Sequence, residues 1–158
     1  MFERACGVAA QRVVETRQAG VGAAHIGAFL LYEGVLPPAV RSLVGLIAAR
    51  ELDCDYVWAA CVGEARAARV DGGLIEALEN GAPPASLDKQ DRVLLDFCWQ
   101  LLRGNHHVSE AAYQAATAQF GVPATVQIAV TLGYFVMMGL VVNAFEVPPA
   151  GDDSRPAL

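Results

Sequence analysis

From Ile128 to Val142 the chain runs through fifteen residues without a charge, and whatever fold it takes must hide that run or share it with a partner. A helix that crosses a bilayer needs about 20 consecutive apolar residues. This run is shorter, contains Thr131, Gly133 and Gly139, and is flanked by Gln127 and Asn143 with no Lys or Arg anchor at either end. It therefore predicts a buried central helix or a subunit interface, with no membrane partner. Pro123 suits its first turn, Val147-Pro148-Pro149 ends it, and Gly133 and Gly139 would let another helix come close.

The rest of the chain reads as helices arranged around it. Residues 3 to 19 show helical spacing that stops at Gly20, and 22 to 33 form an apolar run around His25. After Leu36-Pro37-Pro38, residues 39 to 51 read as an apolar helix. A second follows from Cys54 to about Val70, capped by Asp53 or nearly continuous with its predecessor through a kink. A short helix ends at Asn80-Gly81, Ser86 or Asp88 caps one that runs to about Arg103, and Ser109 caps one from Glu110 to Phe120. No stretch has the β-branched alternation of a strand, so the expected fold class is all-α, a single helical domain over residues 1–149 with a mobile tail at 150–158. The 158 residues suffice for one core. With 54% hydrophobic residues and a mean hydropathy of +0.36, they leave apolar surface for self-association. A net charge of −6 and the absence of a basic stripe exclude a nucleic-acid partner.

Four cysteines are scattered at 6, 54, 61 and 98 with no C-x-x-C pair and no His cluster. That pattern predicts a reducing, cytoplasmic setting, no metal and no cofactor. On a regular helix Cys54, Trp58 and Cys61 share one face. The two thiols would then lie about 10 Å apart, beyond the roughly 7 Å between Cα atoms that a disulfide allows.

The order of these features resembles the carboxymuconolactone decarboxylase and alkylhydroperoxidase D-like superfamily. The resemblance covers roughly residues 25–149. It rests on Leu36-Pro37 leading into Arg41-Ser42-Leu43, on Tyr56-Val57-Trp58-Ala59-Ala60-Cys61, on the helix before Val108-Ser109, and on Gly133-Tyr134-Phe135 with Asn143. It implies an all-helical fold, assembly into homotrimers or hexamers with a dimer as the other option, and an active site on the helix that starts at residue 54. In the peroxidase branch a Glu is followed, after eleven residues, by Cys-x-x-Cys-x-x-x-His. Here those places hold Ser42, Cys54, Val57 and Cys61, so one of four matches. The decarboxylase branch has Tyr-Glu-Trp-x-x-His; Tyr56 and Trp58 match, Val57 replaces the Glu and Cys61 the His.

These losses favour a non-redox lyase, isomerase or cyclase acting on a small organic molecule, in specialised bacterial metabolism. The alternatives are a thiol-dependent hydroperoxidase and a non-catalytic ligand-binding or assembly protein. The candidate catalytic residues are Cys61, His25, Glu64 and Ser42. Cys61 would be a nucleophile if a base such as His25 reached it, and Glu64 would supply a carboxylate from one turn further on. Substrate binding is expected from Trp58, Tyr134, Phe29, Tyr32, Tyr56 and Cys54. The small side chains of Ser42 and Cys61 are expected to leave an enlarged apolar pocket lined by Trp58, Tyr134, Phe29 and Leu30. His106 and His107 belong to a polar, solvent-facing turn, and Cys98 to the core.

Overall fold

A computed structural model describes residues 17–82, 84 and 86–149. Residues 3–16 of the helix expected over 3–19, Cys6 and the tail at 150–158 lie outside the described residues. Within them the chain forms seven helices and no strand: α1 (Arg17–Ala28), α2 (Pro38–Glu51), α3 (Asp55–Ala67), α4 (Gly72–Asn80), α5 (Lys89–Leu102), α6 (Glu110–Phe120) and α7 (Val122–Ala144). A π-helical turn, Phe29–Glu33, continues α1. The all-α expectation holds.

The element the others wrap is α2. Pro38 opens it with no backbone donor to strand, and Val40 and every residue from Ser42 to Ala49 are buried. Helices α3, α7, α5 and α4 pack around it. Two glycines set how closely. A Cβ on Gly45 of α2 would collide with Cys61 Sγ of α3, and a Cβ on Gly139 of α7 would stand 2.6 Å from Leu52 Cδ1. Gly139 thus admits a neighbour as expected, whereas Gly133 faces open space.

The long apolar α7, expected as a buried central helix or a subunit interface, is half interior. In the window most apolar in character, 56% of residues are buried, and α7 is the one described helix long and apolar enough to cross a membrane. Ile128, Leu132, Phe135 and Val142 face the core, while Val126, Val130, Met137 and Leu140 face outward. The physical reason is that α2, flanked on several sides, has taken the central place.

Local chemistry explains most boundaries. Asp71, Asp88 and Ser109 accept the backbone N–H groups of Leu74, Asp91 and Ala112 as N-caps, and Gly81 ends α4 in the left-handed region at φ 64°. The expected stop at Gly20 does not occur, since α1 runs through it to Ala28. An interior glycine costs a helix only about 1 kcal/mol relative to alanine. Between α2 and α3, Asp53 turns at φ 46° and pairs with Arg50 at 2.9 Å, so it does not cap α3. The cap residue is Cys54, extended at φ −106°, ψ 93°.

Long-range polar ties fix the helices to one another. Asn143 Nδ2 on α7 donates to the Leu52 carbonyl at 2.9 Å, and Val35 N–H donates to Gln127 Oε1 at 2.7 Å. At the far end of α2, Arg103 grips Glu51 through Nε and Nη2 while its guanidinium lies 4.7 Å from the centre of the Trp99 ring.

Candidate functional site

The candidate site forms where the start of α2 meets the middle of α3. Its floor is packed. Cys61 is 3% exposed, its sulfur against Gly45, and the Phe135 ring borders the same spot. Ser42 is 1% exposed and spends its hydroxyl donor on the Ala39 carbonyl at 3.1 Å. The small side chains at 42 and 61 are thus interior, and Gly45 lets α2 and α3 approach until Cys61 Sγ lies against its α carbon.

Above this floor sits a polar pair. Arg41 reaches from the first turn of α2, with its side chain only 14% exposed, and donates through Nη1 to the Leu31 carbonyl of the π turn at 3.1 Å. Nη2 lies 3.8 Å from Glu64 Oε2, an ion pair without a tight hydrogen bond, and the Glu64 side chain is 42% exposed. Arg41 Nε is buried and has no hydrogen-bond partner among the described residues. A guanidinium offers five N–H donors, so this one is under-used for a charge so far withdrawn from water. Glu64 supplies an acceptor beside it and opens to the surface.

Burial shifts the three described thiols upward from their ordinary range. Burial pushes the Cys61 thiol far above its ordinary range; Glu64 adds to the shift and Arg41 opposes it without reversing it. Cys54 is also shifted upward, first by burial, against which the backbone amides of Val57 and Tyr56 at the α3 N-terminus pull down and Asp55 pushes up. Cys98 is pushed up to about 12 by burial alone and is core, as expected. None of these three sulfurs is in a disulfide.

Cys54 does not continue the Trp58–Cys61 stripe as helical spacing implied. It precedes the first helical residue, and its carbonyl accepts the Trp58 N–H at 3.0 Å. With Trp58 it lines a separate cleft of about 140 Å³, rimmed by Arg50, Asp53, Asp55 and Glu79. Tyr56 contributes to a third place, a cleft of about 490 Å³ shared with Asn143, Val147 and Glu146.

The remaining predicted residues are dispersed. His25 is exposed on α1. Phe29 and Tyr32 are 50% and 71% exposed. Tyr134 is buried beneath α1, where a Cβ on Gly27 would stand 2.5 Å from its hydroxyl oxygen. The apolar pocket expected of Trp58, Tyr134, Phe29 and Leu30 is thus divided between separate surroundings. His106 and His107 are exposed, as expected, each held through Nδ1 to a nearby backbone carbonyl. Sequence reasoning quoted Arg41 but gave it no role. The signal was present: it is the one charged residue in the run from Ala39 to Ala49.

The architecture is the alkylhydroperoxidase D-like helical fold. An uncharacterized peroxidase-related protein from Silicibacter sp. TM1040 superposes with a TM-score of 0.72 at 24% identity, over 85% of this chain and 72% of that one. A protein of unknown function from Agrobacterium tumefaciens, described as a candidate antioxidant-defence protein AhpD, superposes with a TM-score of 0.75 at 16% identity, over 86% of this chain and 93% of that one. At these identities the likeness is one of fold. No family model and no curated protein matches the sequence.

Proposed function

We propose that this protein is a non-redox enzyme, a lyase, isomerase or cyclase acting on a small organic acid or lactone, with Arg41 and Glu64 as its working pair. The observation that carries this reading is the under-used Arg41 guanidinium beside a solvent-facing carboxylate, above a floor of buried thiol. Arg41 would hold a substrate carboxylate or the oxygen that gains charge when a carbonyl enolises. Glu64 would take the proton from the adjacent carbon and return it to another, so that no oxidant or reductant is consumed. Cys61 and Ser42 shape the floor. The setting proposed is the cytoplasm of a bacterium and a specialised pathway.

The second reading is a thiol peroxidase, favoured by the names of the two structural relatives. Its chemistry needs an accessible thiolate and a resolving thiol. Here Val57 stands in the second cysteine's place, and Cys54 and Cys61 are buried and shifted upward. Two assays separate the readings. The protein should consume no hydroperoxide in the presence of dithiothreitol, and a panel of small unsaturated acids and lactones should contain ligands whose calorimetric affinity falls at least tenfold in both Arg41→Met and Glu64→Gln. Peroxide turnover that alkylation of the cysteines abolishes would overturn the proposal. So would a ligand set indifferent to both substitutions.

A further inference from the structure

Helix α7 carries two buried polar side chains whose donors are unspent. Gln127 is 8% exposed and Thr131 1%, and neither Gln127 Nε2 nor Thr131 Oγ1 has a hydrogen-bond partner among the described residues. The Val35 N–H fixes the Gln127 amide by donating to Oε1, which turns the NH2 group the other way. Thr131 is the exception among the described threonines. Thr117 and Thr125 each donate to the carbonyl four residues earlier, at 2.9 Å, as a helical threonine commonly does, and Thr131 does not.

Two pairs of contacts locate these donors under the π turn. A Cβ on Gly34 would collide with Gln127 Nε2 and one on Gly27 with the Tyr134 hydroxyl, so residues 27–34 run antiparallel to α7 and bring Leu30 and Leu31 to the level of Thr131. Val35 meets Gln127 and Gly45 meets Phe135, so the chain from Val35 into α2 runs parallel to α7 and brings Val40 and Arg41 to that same level. The bond from Arg41 Nη1 to the Leu31 carbonyl closes the frame. Arg41 Nε, buried and likewise unpartnered among the described residues, is the third donor of one row.

We propose that Arg41, Thr131 and Gln127 form a donor row that binds a carboxylate beneath the π turn, with the rest of the ligand leading out past Glu64. The proposal rests on the acid-binding reading of Arg41 given above and adds Thr131 and Gln127 as the residues that select the carboxylate. Buried donors left unpaired cost a fold stability, and three along one seam are the pattern of a site kept ready for an acceptor. One guanidinium and two neutral donors suit a single negative charge spread over two oxygens. A phosphate dianion would bring a second charge beside Glu64. The cover over the row is thin: from Val21 to Val35 only Gly27 and Leu30 are buried, so this stretch can open locally while α2 and α7 stay packed.

Calorimetry with crotonate, sorbate and cinnamate, each beside its primary amide, tests the row in the wild type and in Thr131→Val and Gln127→Glu. Thr131→Val keeps the shape and deletes a hydroxyl that bonds to no described residue, so its midpoint in urea should equal or exceed that of the wild type. Gln127→Glu keeps the acceptor for Val35 and removes the donor. At least one acid should bind the wild type, its affinity should fall at least tenfold in each variant, and its amide should bind the wild type no better than the variants. Failure of all three acids to bind, or affinities indifferent to both substitutions, would overturn the row. So would a Thr131→Val protein less stable than the wild type, because the hydroxyl would then serve the fold. The earlier reading fails separately. Acids that lose affinity in Arg41→Met and Glu64→Gln but not in these two variants remove the row and leave that reading, whereas hydroperoxide turnover beside a tenfold dependence on Thr131 removes that reading and leaves the row.

Discussion

Replacing Gly45 with alanine tests the packed floor of the site directly. In an ordinary helix the exchange would stabilise by about 1 kcal/mol, because glycine is the poorer helix former. Here the added Cβ collides with Cys61 Sγ and lies 3.1 Å from two atoms of the Phe135 ring. Both neighbours are 3% exposed and have nowhere to retreat. Overpacking of this kind costs about 1–3 kcal/mol, and with two rigid neighbours the upper end applies, which leaves a net loss of about 2 kcal/mol. Cys61→Ala alone removes one buried atom and leaves a small void, at about 1.5 kcal/mol. In the double variant the alanine methyl at 45 occupies the place the sulfur vacated, and the helix keeps its propensity gain. Its expected loss is about 1 kcal/mol or less, so the coupling between the two sites should be about 2–3 kcal/mol. Urea unfolding followed by circular dichroism gives all four corners of the cycle, at one protein concentration because self-association would shift each midpoint. Gly45→Ala as stable as wild type, or strictly additive losses, would refute the close packing of α2 on α3 at Gly45 and Cys61.

The buried thiols make stability fall with alkaline pH. Cys98 titrates near 12 when folded and Cys61 is shifted in the same direction, whereas an unfolded thiol titrates near 9, so above pH 9 the unfolded chain releases protons that the folded one keeps. Stability contributed by these groups is full below pH 9 and declines by about 1.4 kcal/mol per pH unit for each thiol as pH rises toward the folded values. Unfolding free energies measured at pH 8, 9 and 10 should therefore fall more steeply for wild type than for Cys61→Ala/Cys98→Ala, and equal slopes would contradict the burial assigned to them. Asn143→Ala should lower stability by about 1 kcal/mol through loss of the bond to the Leu52 carbonyl. Thermal melting checks that, with an expected drop of about 2–4 °C.

What could be read from the sequence follows the range of the interactions involved. Asp88, Ser109 and Gly81 act within a few residues of themselves, and the caps and stops predicted at the last two are found; at the α5 start the choice left open between Ser86 and Asp88 falls on Asp88. Cys54 misled because helical spacing was extended one residue too far: whether a residue begins a helix or caps it depends on its own ψ, here 93°, and the N–H that caps the end of α2 is the Cys54 N–H donating to Ala49. For α7 the sequence left a buried helix and an interface both open. Composition reveals an apolar run but not which faces of it the rest of the chain can reach, and the short α2 has outcompeted it for the centre. The ties from Asn143 to Leu52 and from Gln127 to Val35 cross more than ninety residues, and no local pattern announces them.

The displacement of chemistry within the site has a single physical origin. Ser42 and Cys61 are both interior positions, at 1% and 3% exposure. Ionisable groups at such depth are tolerable only when paired and solvated by neighbouring dipoles. As a hydroxyl and a thiol they give the interior no charge to support, and Gly45 allows α2 and α3 to approach closely. Charge stands instead at the next positions toward water: Arg41 precedes Ser42 by one residue, Glu64 follows Cys61 by one helical turn, and the two meet at 3.8 Å across the seam. A mostly buried arginine with an unpartnered Nε, facing a half-exposed carboxylate, is what makes this seam the place to test the proposed function.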